Sequence, residues 1–153
     1  MKEGKRKREV WEWIPPQNKE SKFGGGEIPY PKVENRIPLF VIDMDHESNE
    51  VFFINNGKES LKEVISSKVG NWPVKEEDRK FSYENVLPGE LVKIDDFDPI
   101  YDYNELIQQD VCLELENGDR MKFYCTSYGS CVPQTILLWD DQELGKGVNR
   151  IQY

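Results

Sequence analysis

The chain is poor in the residues that metal and nucleophile chemistry draw on: its 153 residues include one histidine and three cysteines, with no Cys-x-x-Cys pair. Any Ser-His-Asp or Cys-His arrangement would have to be built around His46, and none of the usual local signatures surrounds Cys112, Cys125, Cys131 or any serine. Three cysteines make no even disulfide framework, so thiols in a reducing compartment are expected, although the loop between Cys125 and Cys131 could bring those two together on oxidation. No stretch approaches the roughly 18 apolar residues of a membrane span. The charged start Lys2–Arg8 is not followed by the apolar segment of a secretory signal, so a cytoplasmic protein without membrane contact is expected. The run Gly24-Gly25-Gly26 has no strand before it, no helix after it and no Lys-Ser/Thr behind it, which excludes a phosphate loop.

Aromatic residues, by contrast, are plentiful: four Trp, seven Tyr and seven Phe, too many for a disordered chain even with 32% charged residues. The net charge of -9 conceals an asymmetry. Residues 1–36 carry nine Lys/Arg against six Asp/Glu, whereas residues 37–153 carry 11 against 23. A body so acidic repels phosphate backbones, which argues against nucleic-acid binding by the folded domain and favours another protein with a basic surface. The same charge also serves plain solubility.

Period-two patterning sets the fold class. Ile37–Met44 is apolar on both faces apart from Asp43, and Pro38 suggests a start at a sheet edge. Val51-Phe52-Phe53-Ile54 is a β-branched and aromatic run that ends in Asn55-Asn56-Gly57, residues tolerant of left-handed backbone. Leu61–Val69 reads as a strand with Leu61, Ile65 and Val69 on one face; a helix with a Ser60/Glu63 capping box is the alternative. Phe81–Leu87 alternates, breaks at Pro88-Gly89 and resumes as Glu90–Asp95. Gln134–Trp139 is a final strand. The division expected is a basic arm and linker over 1–36, an immunoglobulin-like antiparallel β-sandwich of seven or eight strands over 37–139, and a polar tail over 140–153.

The order of a strand, Asn55-Asn56-Gly57, Leu61 to Val64, then Val86-Leu87-Pro88-Gly89-Glu90-Leu91-Val92 resembles bacterial immunoglobulin-like modules of the CARDB type. In these an Asn/Gly turn precedes one strand and a Leu-Pro-Gly-Glu turn another, and the resemblance spans roughly residues 51–125. It implies the sandwich and a non-catalytic binding or spacer role. An exported adhesion role is not carried over, since the chain has neither the signal segment nor the internal repeat of such modules.

The hairpin Asp110–Thr126 allows a sharper inference. A two-residue turn at Asn117-Gly118 would put Val111, Leu113 and Leu115 on the face opposite Met121, Phe123 and Cys125. A loop one residue longer, with Gly118 left-handed beside a bulge, unites the apolar sets, sets Glu114 across from Arg120 or Lys122, and sends Cys112 and Cys125 to opposite faces.

Several groups are candidates for contact or chemistry. Trp11 and Trp13 share one side of an extended segment ended by Pro15-Pro16; they either dock on a partner or fold back to cover an edge of their own sandwich, and the second is preferred. Trp72 is a lid over the core or a binding contact. Asp43, Asp45, His46 and Glu47 form the best metal-ligating cluster, yet they also have the composition of an exposed turn. The stretch 95–105 lacks EF-hand spacing but could hold calcium loosely. Its Asp96, Phe97, Asp98, Tyr101, Asp102 and Tyr103 combine contact area with charge, a composition suited to gripping a basic surface. The reading that follows is a non-catalytic interaction module without cofactor. An acidic inhibitor or immunity-type protein that blocks a basic enzyme such as a nuclease is the alternative, and a metal-dependent enzyme built on Asp43–Glu47 the third.

Overall fold

A computed structural model describes residues 3–8, 11, 13–15, 34–69 and 80–152, and these form two five-stranded antiparallel sheets packed face to face. The strands are β1 (Arg6–Lys7), β2 (Pro38–Asp45), β3 (Glu50–Asn55), β4 (Leu61–Val69), β5 (Lys80–Val86), β6 (Leu91–Asp96), β7 (Glu105–Leu115), β8 (Arg120–Gly129), β9 (Thr135–Trp139) and β10 (Val148–Gln152). The first sheet runs β1-β6-β3-β2-β9 and the second β10-β8-β7-β4-β5. No helix among the described residues is long and apolar enough to cross a membrane.

The core lies between the sheets. Ile42, Phe53, Val92 and Ile94 of the first sheet meet Val64, Tyr83, Val111, Leu113 and Phe123 of the second, all of them buried. Phe40 stacks on Phe53 and tilts against Phe123, with centroids 5.9 and 6.3 Å apart, so aromatic contacts span both layers.

The β7–β8 hairpin has the three-residue loop that its apolar pattern demands. Val111 pairs with Phe123, Leu113 with Met121 and Glu114 with Arg120. The Leu115 N–H donates to the Asp119 carbonyl, and Gly118 adopts φ 91°, a backbone that costs a side chain strain. Cys125 therefore faces the core, and Cys112 lies opposite Lys122 on the outer side.

Four expectations change. Residues 61–69 are a strand, but the inward set is Leu61, Val64, Ser66 and Lys68, because a bulge between Leu61 and Glu63 shifts the parity; Val69 is exposed. Pro38 begins an interior strand, since β2 lies between β3 and β9; the proline sits at the strand's first residue, beside a register shift, where its missing N–H is tolerated. Asn55 and Asn56 are not left-handed. Asn55 works through its buried side chain, whose Nδ2 donates to the Glu59 and Val86 carbonyls, while its backbone bonds to Gly89 and Glu90. The Asn/Gly turn and the Pro-Gly turn thus meet and close one end of the sandwich. Finally, residues 148–152, expected within a polar tail, form β10 on the edge of β8.

The face assignment is testable by urea unfolding. Phe123→Ala, which empties a core position, lowers stability by about 3–5 kcal/mol. Lys122→Ala, one residue away on the outer face, changes it by no more than about 0.5 kcal/mol.

Candidate functional site

At the end of the sandwich remote from Asn55, a charged cluster spans the two sheets. Lys68 and Gln109 are cross-strand partners on the inner face of the second sheet, and Asp95 reaches them from β6 of the first. The Lys68 Nζ lies 3.1 Å from Asp95 Oδ1 and 2.7 Å from Asp102 Oδ2, and Gln109 Nε2 donates to Asp95 Oδ2 at 2.8 Å. All four side chains are nearly buried. Burial pushes the Asp95 carboxyl up to about 6, against the opposing pull of Lys68 and Gln109. The Ser66 Oγ and the Gln109 Oε1 are buried without a hydrogen-bond partner among the described residues. An inward charge in β4 is the one sequence signal for this site, and it is hidden because the bulge reverses the apparent parity of Lys68.

The cluster organises the acidic segment 95–105. Asp102 Oδ2 accepts the Asp98 N–H at 2.7 Å, and Asp98 Oδ1 accepts the N–H groups of Ile100 and Tyr101. The two buried carboxylates thus converge on an ammonium. Phe97 is a core residue and Asp102 an internal one, so neither is available to a partner, contrary to expectation. Asp96 is exposed and pairs with Lys93 at 2.7 Å. Ile100, missed by the sequence reading, is 81% exposed, and Tyr101 and Tyr103 are about half exposed. The strip continues onto the first rungs of the β7–β8 hairpin, where Leu106 and Tyr128 are paired and both exposed.

At the end of β2 and in the turn that follows, the carboxylates are engaged by the protein's own donors. Asp43 Oδ2 accepts the Trp11 indole N–H at 3.0 Å and the Gln134 amide at 3.1 Å, while Asp45 Oδ1 caps the Glu47 N–H. That backbone hydrogen bond, ahead of Ser48 and Lys7, holds the Asp45 carboxyl below its usual range. His46 is exposed in the turn. Among the described residues no group of three or more His, Cys, Asp or Glu side chains is placed to hold a metal ion. Cys112, Cys125 and Cys131 are in no disulfide, and burial pushes the Cys125 thiol up to about 11.

The arm folds back on its own body. Residues 6 and 7 pair with Val92 and Leu91 along the open edge of β6, and the Lys93 N–H donates to the Lys5 carbonyl. The Arg6 guanidinium reaches Glu90 at 3.0 Å and the carbonyls of Glu84 and Asn85, tying the end of β5 to β6. Gly4 lies so close to the Phe81 ring and the Tyr83 hydroxyl that a Cβ would sit 2.7 Å from each. Trp11 packs on Val41, Phe52, Ile54 and Leu91, the outer face of the first sheet, and Trp13 meets Trp139 edge-on at 5.5 Å. Trp72 lies outside the described residues.

A cavity of about 480 Å³ opens at the Asn55 end, lined by Leu39, Phe40, Leu61, Leu115 and Leu138. The side chains of Asn55 and Asn56 at its rim bond to the protein's own backbone. No family model, curated protein or solved structure matches the chain.

Lys68→Met strands two buried carboxylates. A raised carboxyl such as Asp95 contributes stability that is complete below its unfolded value of 3.8 and lost as pH rises to about 6. Removing the cation therefore costs about 3–5 kcal/mol at pH 7 in urea titrations, and the deficit shrinks as pH falls and Asp95, raised further once Lys68 no longer lowers it, takes up its proton.

Proposed function

We propose that the chain is a non-catalytic protein-interaction module of immunoglobulin-like type, which grips a basic partner with the segment 95–105 and the adjoining rungs of β7 and β8. One observation carries the reading: Ile100, Tyr101, Tyr103 and Leu106, close together in the chain, and Tyr128, the cross-strand partner of Leu106, are all exposed. Large side chains gathered in this way mark contact surfaces, whereas scattered ones need no explanation. Tyrosines supply broad, stiff contact area, and the acidic body supplies long-range steering toward a basic surface.

The immunoglobulin-like assignment is supported by the placing of β2, β3 and β6 in one sheet and β4, β7 and β8 in the other, with crossings at β3–β4 and β6–β7. Kinship with the CARDB-type modules rests on the sequence alone, on the order of Asn55-Asn56-Gly57 and Leu87-Pro88-Gly89-Glu90.

Capture of partners from the native host, followed by affinity measurement on the partner recovered, tests the reading. Tyr101→Ala combined with Tyr103→Ala weakens binding by at least about thirtyfold, the loss of a typical hot spot, while thermal stability holds. Binding to wild type slows steeply as salt rises. Unchanged affinity in the double variant contradicts the assignment of this surface.

A further inference from the structure

The buried cluster has a capacity that partner binding does not use. An amine, a carboxyl group, a second carboxylate and an amide donor converge in a place that water reaches poorly. We propose that Lys68 and Asp95 condense to an isopeptide bond, with Asp102 as the proton carrier and Gln109 as the donor that holds the carbonyl oxygen.

Geometry assigns the roles. The Lys68 Nζ stands 3.1 Å from Asp95 Oδ1, which places the amine beside the Asp95 carboxyl group. Asp102 Oδ2, at 2.7 Å, is the group placed to take a proton from that nitrogen. Gln109 Nε2 donates to Asp95 Oδ2 at 2.8 Å and so faces the oxygen on which negative charge develops. Only Asp95 is hydrogen-bonded on the oxygen away from the lysine, which makes it the acyl partner and Asp102 the base. Burial, which raises the Asp95 carboxyl against the pull of Lys68 and Gln109, favours its neutral, acylating form.

The step balances without any co-reactant. Asp102 accepts a proton from the Lys68 ammonium and passes it to Asp95 Oδ1, leaving a neutral amine and a neutral acid. The nitrogen lone pair forms the N–C bond at Cγ, and the C=O electron pair moves to Oδ2, where the Gln109 N–H receives it. Asp102 takes the second nitrogen proton and delivers it to Oδ1, the Cγ–Oδ1 bond breaks, and one water leaves. In the product, Oδ2 is the amide oxygen still held by Gln109, and the remaining amide N–H points at Asp102 Oδ2. The Asp95 and Asp102 carboxyl oxygens thus keep donors, and the Asp96 carbonyl, 3.4 Å from Lys68 Nζ, gives up its long contact.

The reaction is a single event within the chain, not turnover, and it stands independently of what the strip at 100–128 binds. Its consequence is mechanical. The bond ties β4 of the second sheet to β6 of the first and closes the chain between residues 68 and 95 into a covalent loop, which restricts the unfolded chain as a disulfide does but is indifferent to reductant.

Intact-mass spectrometry of the full-length purified chain reads the outcome directly. The expected mass is lower than the sequence mass by one water, about 18 Da, and peptide mapping joins the Lys68 peptide to the Asp95 peptide. Lys68→Arg and Asp95→Ala restore the full mass for their sequences. Asp102→Asn slows the conversion by at least about a hundredfold, the usual contribution of a proton carrier. Wild-type chain that is folded by circular dichroism yet keeps its full sequence mass after days at 37 °C overturns the proposal. So does a water loss that persists in Lys68→Arg. The wild-type mass decides the matter even if every variant fails to fold.

Discussion

The first sheet is apolar on both faces, and the rest of the molecule is arranged to cover it twice. Ile42, Phe53, Val92 and Ile94 point inward to the second sheet, while Val41, Phe52, Ile54 and Leu91 point the other way and are also buried. Side chains of this size left in water forfeit about 1.5–3 kcal/mol each, so an uncovered outer face would be a heavy loss for a domain of this length. The N-terminal arm supplies cover. Trp11 lies on the patch, the Lys7 ammonium sits 4.3 Å from the Phe52 ring centroid, and residues 6 and 7 extend the sheet at its exposed edge. The basic arm and acidic body, separate features in the sequence, are complementary in the fold: Lys5 meets Glu50, Arg6 and Arg8 meet Glu90, and Lys7 meets Asp45. Part of the acidic surface that suggested a foreign basic partner is answered by the chain itself.

The two ends of the sandwich are closed by different chemistry. At one, Asn55 hydrogen-bonds the backbone of two turns and needs no charge. At the other, Lys68 is locked between two carboxylates beside a glutamine, and the acidic segment hangs from that lock through Asp102. Buried ion pairs add less to stability than their Coulomb energy suggests, because each charge must first be stripped of water. Their presence here fixes one arrangement of the segment 95–105, and with it the outward presentation of Ile100, Tyr101 and Tyr103. The same arrangement holds the Lys68 amine 3.1 Å from an oxygen of the Asp95 carboxyl group.

Patterns confined to one strand pair were legible in the sequence. The β7–β8 register followed from the requirement that Val111 and Phe123 share a face, which a two-residue turn at Asn117-Gly118 failed and a loop one residue longer met. The unbroken apolar runs of β2 and β3 announced strands covered on both sides, the same property that makes the arm fold back. Features that depend on irregularity were hidden. One bulge after Leu61 sent Lys68 inward and Val69 outward, against the alternation of the residues themselves. Phe97 and Asp102 read as surface residues because acidic neighbours surround them, yet one fills the core and the other balances a lysine thirty-four positions earlier in the chain. Pairing at such separation leaves no local trace. The same holds for β10, whose place on β8 no neighbouring residue specifies.

Hydrogen exchange at the Lys93 amide tests the double covering most directly. β6 has β3 on one side, and on the other, among the described residues, this N–H finds its partner in the arm, at the Lys5 carbonyl. Docked in solution, the arm protects the Lys93 amide to the same degree as its strand neighbours, and the protection is lost when Trp11 is replaced by alanine. An amide at Lys93 that exchanges at the rate of an unstructured peptide in the wild-type chain would show the arm to be undocked and the outer face of the first sheet to be covered in some other way.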